Sequence, residues 1–273
     1  MARAKGINTH KYFKLGKAAA KPDKRNLMFA AILKAPVKVP LEYDFDLKHP
    51  GIPTPMFGND VHGDCVIAGR AHQTLRFEDI EQGSIIGISD SDVLKEYFNE
   101  TGGADDGLVV LDSLKLWRTK GWKAGTRKYN IKAFAQLNRA NHSEIKGAIF
   151  TDVGIGIGLS LPVSAQAQVQ SGKAWDVVSG PTAKPGSWGG HYVHIPGYTK
   201  RGPVCVTWGR KQQLTWAFFD KYCDEAYAII DAINTTKKKK ALDAKKLNTF
   251  LSGLSKEFKK GSQQQAPNSN QQT

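Results

Sequence analysis

The feature that most constrains this chain is a single cysteine placed where a helical pattern begins. A polar, glycine-bearing turn over residues 58–64 precedes Cys65, and apolar residues then recur at helical spacing at Val66, Ala71 and Leu75. At a helix N-terminus the free backbone N–H groups and the positive end of the helix dipole favour a thiolate. The thiolate is the form of cysteine that attacks carbonyl carbons, so Cys65 is a candidate nucleophile, although a lone cysteine is more commonly just buried.

Two stretches far downstream supply the second signal. Residues 188–198 have alternating apolar side chains between glycines and predict a strand with His191 at its start. Residues 204–209 predict a short β-branched strand that ends in Trp208 and a glycine. Cysteine on a helix, Gly-His on a strand and then a strand ending in Trp-Gly is the order found in papain-like cysteine peptidases, which the chain resembles over residues 39–227.

Shorter matches occur in the same order along the chain. Residues 39–45 resemble the segment that opens the mature domain of that family, and Asn59 lies where the family has a glutamine that donates to the oxyanion. Residues 88–94, 102–107 and 109–122 are similar to the family's Leu-Ser-Glu-Gln helix start, its glycine-rich turn and the helix that follows.

The resemblance implies an α+β fold of two lobes, with a helical N-terminal lobe and an antiparallel β-sheet or barrel in the C-terminal lobe. It also implies a Cys–His acyl transfer in the cleft between the lobes, with a peptide or related amide as substrate. Cys65, His191 and Asn59 would be the catalytic residues, and Trp208 would shield the histidine.

One departure from the family places the catalytic triad in question. Val206 stands where the family has the asparagine that orients the histidine, and a valine side chain accepts no hydrogen bond. Either another residue supplies the third member, or a backbone carbonyl orients His191, or the site is degenerate. Thr207 is a candidate substitute, but strand alternation predicts that it faces away from Trp208.

The periodicity of the chain predicts a helical first half, an antiparallel second half and a closing helix. Helices are predicted over residues 22–33, 91–99, 109–117 and 143–150, and the apolar spacing of residues 131–138 places that stretch in the helical half as well. Strands are predicted over residues 153–159, 192–198 and 204–208, and a last helix over residues 216–232.

Charge is concentrated at the two ends. The net charge is +14, of which residues 1–40 carry +9 and residues 237–273 carry +7, so the body between them is near neutral. We therefore predict a basic N-terminal arm (1–38), a papain-like domain (39–234) and a basic tail (235–273) that is partly helical and then disordered. The ends would either bind an anionic partner, such as nucleic acid or an acidic surface, or only solubilise the chain. The arm would be a packed appendage or a removable pro-segment.

Other classes of site find little support in the sequence. The spacing of His62, His72 and His194 matches no zinc pattern, so neither a metal nor another cofactor is expected. No helical pattern directly follows the alternating glycines of residues 154–158, and Pro162 stands in place of a phosphate-binding turn, which argues against a dinucleotide site.

The first 25 residues lack the apolar run of a signal peptide, and the sequence contains no candidate transmembrane segment. The three cysteines, Cys65, Cys205 and Cys223, form no dense disulfide framework. These observations predict an intracellular, cytoplasmic protein, or one associated with a virus particle.

Three functions are therefore weighed. The first is an active papain-like peptidase or amide hydrolase. The second is a catalytically degenerate papain-like module that serves as a structural or interaction protein, for instance in phage or virion assembly, with basic arms on an anionic partner. The third, a nucleic-acid binder unrelated to peptidases, explains the charge but leaves Cys65, His191 and Trp208 as coincidences. The group that reaches the outer nitrogen of His191 separates the first two.

Overall fold

The structure is a computed structural model that describes residues 13–35, 37–151, 154–231 and 241–253. Most of the two basic ends, and with them the predicted boundary at residues 234 and 235, lies outside these ranges, so the three-part division stays a prediction. None of the helices in the described ranges combines the length and the apolarity that crossing a bilayer requires.

Helices dominate the half of the fold that contains Cys65. The longest, α3, begins at Cys65 and is buried along most of its length. The helices, in chain order, are α1 (Phe29–Ile32), α2 (Phe45–Lys48), α3 (Cys65–Gln82), α4 (Asp90–Thr101), α5 (Val110–Thr119), α6 (His142–Thr151), α7 (Val163–Gln170) and α8 (Trp216–Tyr222). Residues 244–253 are also helical.

Antiparallel strands form the other half. The strands are β1 (Tyr43–Asp44), β2 (Trp122–Ala124), β3 (Arg127–Tyr129), β4 (Ile131–Gln136), β5 (Ile155–Leu161), β6 (Gly189–Tyr198), β7 (Pro203–Thr207), β8 (Arg210–Gln213) and β9 (Cys223–Asp231). The main sheet has the order β4-β9-β5-β6-β7-β8, with β1 also paired to β6, while β2 and β3 form a separate hairpin. Helix α3 packs against β6, which brings the start of the cysteine helix to the start of the histidine strand.

Local sequence explains where several helices begin and end. Ser89 caps α4 by accepting from the backbone N–H of Asp92, whose carboxylate accepts in return from the Ser89 backbone N–H. Gly102 ends α4 in the left-handed conformation, at a φ of 70°. Thr215 caps α8 by accepting from the backbone N–H of Phe218 at 3.0 Å.

The structure corrects three of the predicted helices. The helix predicted over residues 22–33 is limited to the four residues of α1. Residues 131–138 are not helical: β4 occupies most of them, with Ile131, Ala133 and Ala135 buried and Lys132 exposed in the alternation of a strand. The predicted helix over residues 216–232 ends at Tyr222, and the chain continues directly into β9. Each of these strands is stabilised by pairing with the other, a long-range contact that local periodicity does not report.

The described part of the N-terminal arm packs against the body. Leu27 and Phe29 are buried, Met28 forms a bridge with Gln136 beside β4, and Leu33 forms one with Leu242. Residues 13–18 continue in extended form between the two halves of the fold.

Candidate active site

The turn before the cysteine is held by one carboxylate from the loop after α4. Asp105 accepts from the backbone N–H of Gly63 at 2.8 Å and from the Tyr97 hydroxyl at 2.7 Å. Its second oxygen lies 3.1 Å from His62 Nδ1. Although partial burial alone would raise the pKa of Asp105, these hydrogen bonds lower it, so the carboxylate stays ionised and anchors the turn.

Cys65 is the first residue of α3 and is almost completely buried. The backbone N–H of Tyr192, the residue after His191, donates to its Sγ at 3.4 Å. Burial raises the pKa of the Cys65 thiol to about 12, against the opposing effects of the N–H groups of Tyr192 and Gly16 and of the charge on Lys17. In this conformation the sulfur is a protonated thiol, in spite of its place at a helix N-terminus.

His191 lies at the start of β6 and is oriented by two neighbours. Its Nε2 is 2.7 Å from the Thr207 hydroxyl oxygen, and its ring stacks on Trp208 with centroids 4.2 Å apart and planes 13° apart. Its Nδ1 is buried and has no hydrogen-bond partner among the described residues. Burial lowers the pKa of His191 to about 3, so the imidazole is neutral.

The placement of Thr207 differs from the alternation expected of a strand. Strand β7 ends at Thr207, and Trp208 has a left-handed φ of 45°, which breaks the alternation between the two residues. Both side chains can therefore contact the same imidazole. A hydroxyl, rather than the apolar wall that Val206 suggested, reaches the outer nitrogen of His191.

Asn59 is buried in the turn before Cys65, where it supports the local structure. Its side-chain amide donates to the backbone carbonyl of His62 at 3.1 Å, and the backbone carbonyl of Asn59 accepts from the backbone N–H of Lys14 at 3.1 Å. The predicted donation from Asn59 to an oxyanion stays a prediction.

Asp64, the neighbour of the cysteine, is fully buried. Burial raises the pKa of its carboxyl to about 8, while the Asn59 amide opposes this shift. Asp64 is therefore mostly protonated at neutral pH and adds little negative charge beside Cys65. The charge repulsion that its position in the sequence suggests is thus largely removed.

Residues 14–18 run through the cleft between the helical half and the sheet half, where Cys65 and His191 lie, and pair with both walls. On the helical side, Ala18 donates to the backbone carbonyl of Leu108 at 2.9 Å, and the Leu108 N–H donates to Gly16 at 2.8 Å. On the sheet side, the Lys17 N–H donates to the carbonyl of Gly190 at 3.1 Å. The Trp208 indole N–H donates to the carbonyl of Lys14 at 3.1 Å. The cleft thus holds an extended polypeptide by its backbone.

Glycines make this close approach sterically feasible. A Cβ on Gly16 would lie 1.6 Å from the carbonyl oxygen of Gly63, and a Cβ on Gly190 would lie 2.1 Å from that of Lys17. Any other residue at either position would force the segment away from its wall.

Among the described residues, His62, His72 and His194 form no hydrogen bond with Cys65 or with the His191 ring. His72 and His194 are buried in the core, and burial holds the pKa of each well below the ordinary value for histidine. His62 is bound to Asp105. Within the ranges that the structure describes, no three His, Cys, Asp or Glu side chains are grouped so that they could hold a metal ion.

Sequence reasoning missed the roles of Asp105 and of residues 14–18. Asp105 is one polar residue in a glycine-rich turn, and nothing in the local sequence indicates its partner Gly63, which lies 42 residues away. For the segment, the one available signal was Gly16 in an otherwise basic arm, since an isolated glycine can mark a close approach of two backbones.

No protein-family model and no curated protein sequence matches the chain. Solved structures do match. Xylellain, a cysteine protease from Xylella fastidiosa, has a TM-score of 0.62 at 16% identity, covering 83% of this chain and 99% of that one. Procathepsin B from Trypanosoma congolense has a TM-score of 0.55 at 13% identity, covering 80% and 86%. The ragweed pollen cysteine protease Amb a 11, in its proform, has a TM-score of 0.54 at 13% identity, covering 84% and 71%.

These structures are papain-like cysteine proteases, and the similarity confirms the predicted α+β, two-lobe papain-like fold. At such low identity the similarity concerns the fold and not the activity.

Proposed function

We propose that this chain is a papain-like cysteine peptidase that is held closed by its own residues 14–18. The observation that carries the proposal is that the cleft between the helical half and the sheet half, beside Cys65 and His191, already holds an extended polypeptide by backbone hydrogen bonds to both walls. A cleft that recognises peptide backbone beside a cysteine and a histidine suits peptide hydrolysis. Two of the similar structures are themselves precursor forms, a procathepsin and a proform.

In the open chain the reaction would be an acyl transfer. His191 Nδ1 takes the proton of the Cys65 thiol, and the sulfur bonds to the carbonyl carbon of the substrate. The backbone N–H of Cys65 and the Asn59 amide stabilise the oxyanion that forms. The imidazolium then protonates the leaving amine as the C–N bond breaks. Water attacks the thioester, gives its proton to His191, and releases the acid and the thiol.

Thr207 takes the place of the missing asparagine in this proposal. When Nε2–H donates to the Thr207 hydroxyl, the lone pair of the imidazole lies on Nδ1, the nitrogen without another partner among the described residues. Stacking on Trp208 fixes the plane of the ring. The hydroxyl is neutral, so it orients the imidazolium with less electrostatic stabilisation than a carboxylate would provide.

The closed conformation is inactive for two reasons. Residues 14–18 fill the cleft and Cys65 is almost completely buried, so a substrate carbonyl has no access to the sulfur. In addition, burial keeps both Cys65 and His191 neutral, which withholds the thiolate. Opening the cleft removes both restraints.

The second candidate is the degenerate module, in which the cleft stays closed and the basic ends bind an anionic partner. Its support is the same closure, together with the absent asparagine at Val206. The charge of the ends is compatible with nucleic acid or an acidic surface, and nothing in the described residues favours one over the other.

Alkylation of Cys65 by iodoacetamide across pH separates the two candidates. Mass spectrometry localises the label, and the cleft is opened by Gly16→Ala. If the chain is a peptidase, Cys65 of Gly16→Ala should be labelled rapidly at a pH well below the reference thiol pKa of ~8.5. This rapid labelling should be lost in Gly16→Ala/His191→Ala. Cleavage of a peptide library should depend on the same two residues. If the opened chain labels only near that pKa and cleaves no peptide, the degenerate module is the better account.

A further inference from the structure

The segment in the cleft places one cation inside the protein. Lys17 is only 7% exposed. Its Nζ lies 2.9 Å from Asp224 Oδ2 and 3.3 Å from Glu225 Oε1, and it donates to the backbone carbonyl of Ala18 at 3.2 Å. A buried cation persists only where such partners compensate for its lost hydration, so the two carboxylates define an acidic pocket beside the cleft.

This acidic pocket belongs to the body of the protein. Asp224 and Glu225 lie near the start of β9, and each is held by a neighbour other than Lys17. The Ser160 hydroxyl donates to Asp224 Oδ2 at 2.7 Å, and the Tyr227 hydroxyl donates to Glu225 Oε2 at 3.1 Å. The carboxylates are therefore positioned by the sheet and would remain in place after residues 14–18 leave.

The shape of the pocket suits a long, unbranched side chain. A Cβ on Gly158 would lie 2.2 Å from Lys17 Cε and 2.6 Å from Glu225 Cγ, so the glycine leaves the room that the lysine stem fills. Burial raises the pKa of Glu225, and the Lys17 charge opposes that shift. An apolar side chain in the same pocket would leave the carboxylates without a counter-charge.

We propose that the acidic pocket formed by Asp224 and Glu225 over Gly158 binds a lysine or arginine side chain of a peptide in the cleft and so sets the specificity of the peptidase. The role of the pocket in specificity rests on the proposed function, whereas the binding of a basic side chain does not. The Lys17 backbone N–H donates to the carbonyl of Gly190, the residue before His191, and the N–H of Tyr192 donates to the Cys65 sulfur, so the pocket lies close to the candidate nucleophile. The basic residue therefore falls within two residues of the cleaved bond.

Peptide binding tests the pocket without catalysis. In full-length Gly16→Ala/Cys65→Ala, fluorescence anisotropy compares a fluorescein-labelled peptide of residues 13–20 with its analogue carrying norleucine in place of Lys17. The lysine peptide should bind at least about tenfold more tightly. Adding Asp224→Asn and Glu225→Gln should reduce the difference to within about twofold, whereas adding Asp220→Asn, a half-exposed carboxylate on α8, should preserve it.

Equal binding of the two peptides, or a lysine preference that survives removal of both carboxylates, would overturn the pocket. Because the norleucine peptide serves as an internal reference for each variant, a general loss of folding appears as weaker binding of both peptides and is not mistaken for lost selectivity. Thermal melting of each variant gives the same check.

Cleavage tests specificity. Full-length Gly16→Ala with Cys65 intact is incubated with a peptide library, and the cleaved bonds are found by mass spectrometry. Lysine or arginine should recur at one position within two residues of the cleaved bond, and the Asp224→Asn/Glu225→Gln change should abolish that preference. Cleavage without a preference for basic residues would contradict the proposed specificity and support the proposed peptidase activity. Lysine-selective binding without any cleavage would contradict the proposed peptidase activity and support the proposed pocket.

Discussion

Replacing Gly16 with alanine should open the cleft of the intact chain. The new methyl carbon would lie 1.6 Å from the Gly63 carbonyl oxygen and 2.2 Å from its carbonyl carbon, both of which are backbone atoms. Ordinary contacts of a methyl carbon are roughly 3.5 Å, so the segment must move away from Gly63 by roughly 2 Å. Hydrogen bonds of 2.8 to 3.1 Å to Leu108 and Gly190 do not survive such a shift.

The size of the effect follows from the contacts that are lost. Each backbone hydrogen bond of the segment stabilises the closed conformation by about 1 kcal/mol. Together with the buried ion pair of Lys17, closure is favoured by at least about 3 kcal/mol. Since about 1.4 kcal/mol corresponds to a factor of ten, the open fraction should rise by about 100-fold or more in Gly16→Ala.

The assay is the rate at which iodoacetamide labels Cys65 at pH 8. Gly87→Ala is the matched control, because a Cβ on Gly87 meets no atom within 4 Å, and its labelling rate should stay within about twofold of that of the unaltered chain. A folded Gly16→Ala chain whose labelling rate is unchanged would refute the reasoning, since residues 14–18 would then not be what shields the sulfur.

Four further changes test individual parts of the site and fold. In the opened chain, Asn59→Ala should lower kcat by about 10²–10³ with little change in KM if its amide holds the oxyanion, whereas a purely structural role would change only the melting temperature. Thr207→Val should lower kcat/KM by about 10–100-fold, and Thr207→Ser should restore most of it. Because the closed state lowers the pKa of His191 to about 3 and raises that of Cys65 to about 12, closure is strongest between pH ~6.5 and ~8.5. It weakens as pH falls towards 3, where hydrogen exchange of residues 14–18 should rise relative to the intrinsic rate. Arg76→Met should destabilise the fold by about 1–3 kcal/mol in denaturant unfolding, because it removes the buried guanidinium that donates to Asp46 at 2.6 Å and 2.8 Å and leaves Lys211, 3.1 Å away, as the counter-charge.

The sequence was most informative where structure is determined locally. The start and end of α4 follow from Ser89, Asp92 and Gly102, which act within one or two turns of the chain. The papain-like fold could be predicted because the order of a few motifs was distinctive, even though the sequence similarity is too low for a family model to match.

The errors arose where distant contacts decide the structure. Strand β9 lies between β4 and β5 and is buried on both faces, so it has no alternation to distinguish it from the end of a helix. Strand β4 does alternate, but its apolar residues also fit a helical spacing. Whether the Thr207 and Trp208 side chains lie on the same side of the strand depends on the left-handed φ of Trp208, which no simple sequence pattern indicates.

The contacts of residues 14–18 indicate that the cleft binds an extended chain through several groups besides those around Cys65. The same segment places a backbone N–H at the carbonyl of Gly190, a carbonyl at the indole N–H of Trp208 and a lysine in the acidic pocket. These contacts come from both lobes and meet successive residues of one extended segment. A substrate with a comparable backbone and a basic side chain would satisfy the same groups once residues 14–18 leave, so closure and substrate selection would rest on one set of interactions. Weakening the acidic pocket should therefore both loosen the closed state and lower the preference for basic peptides.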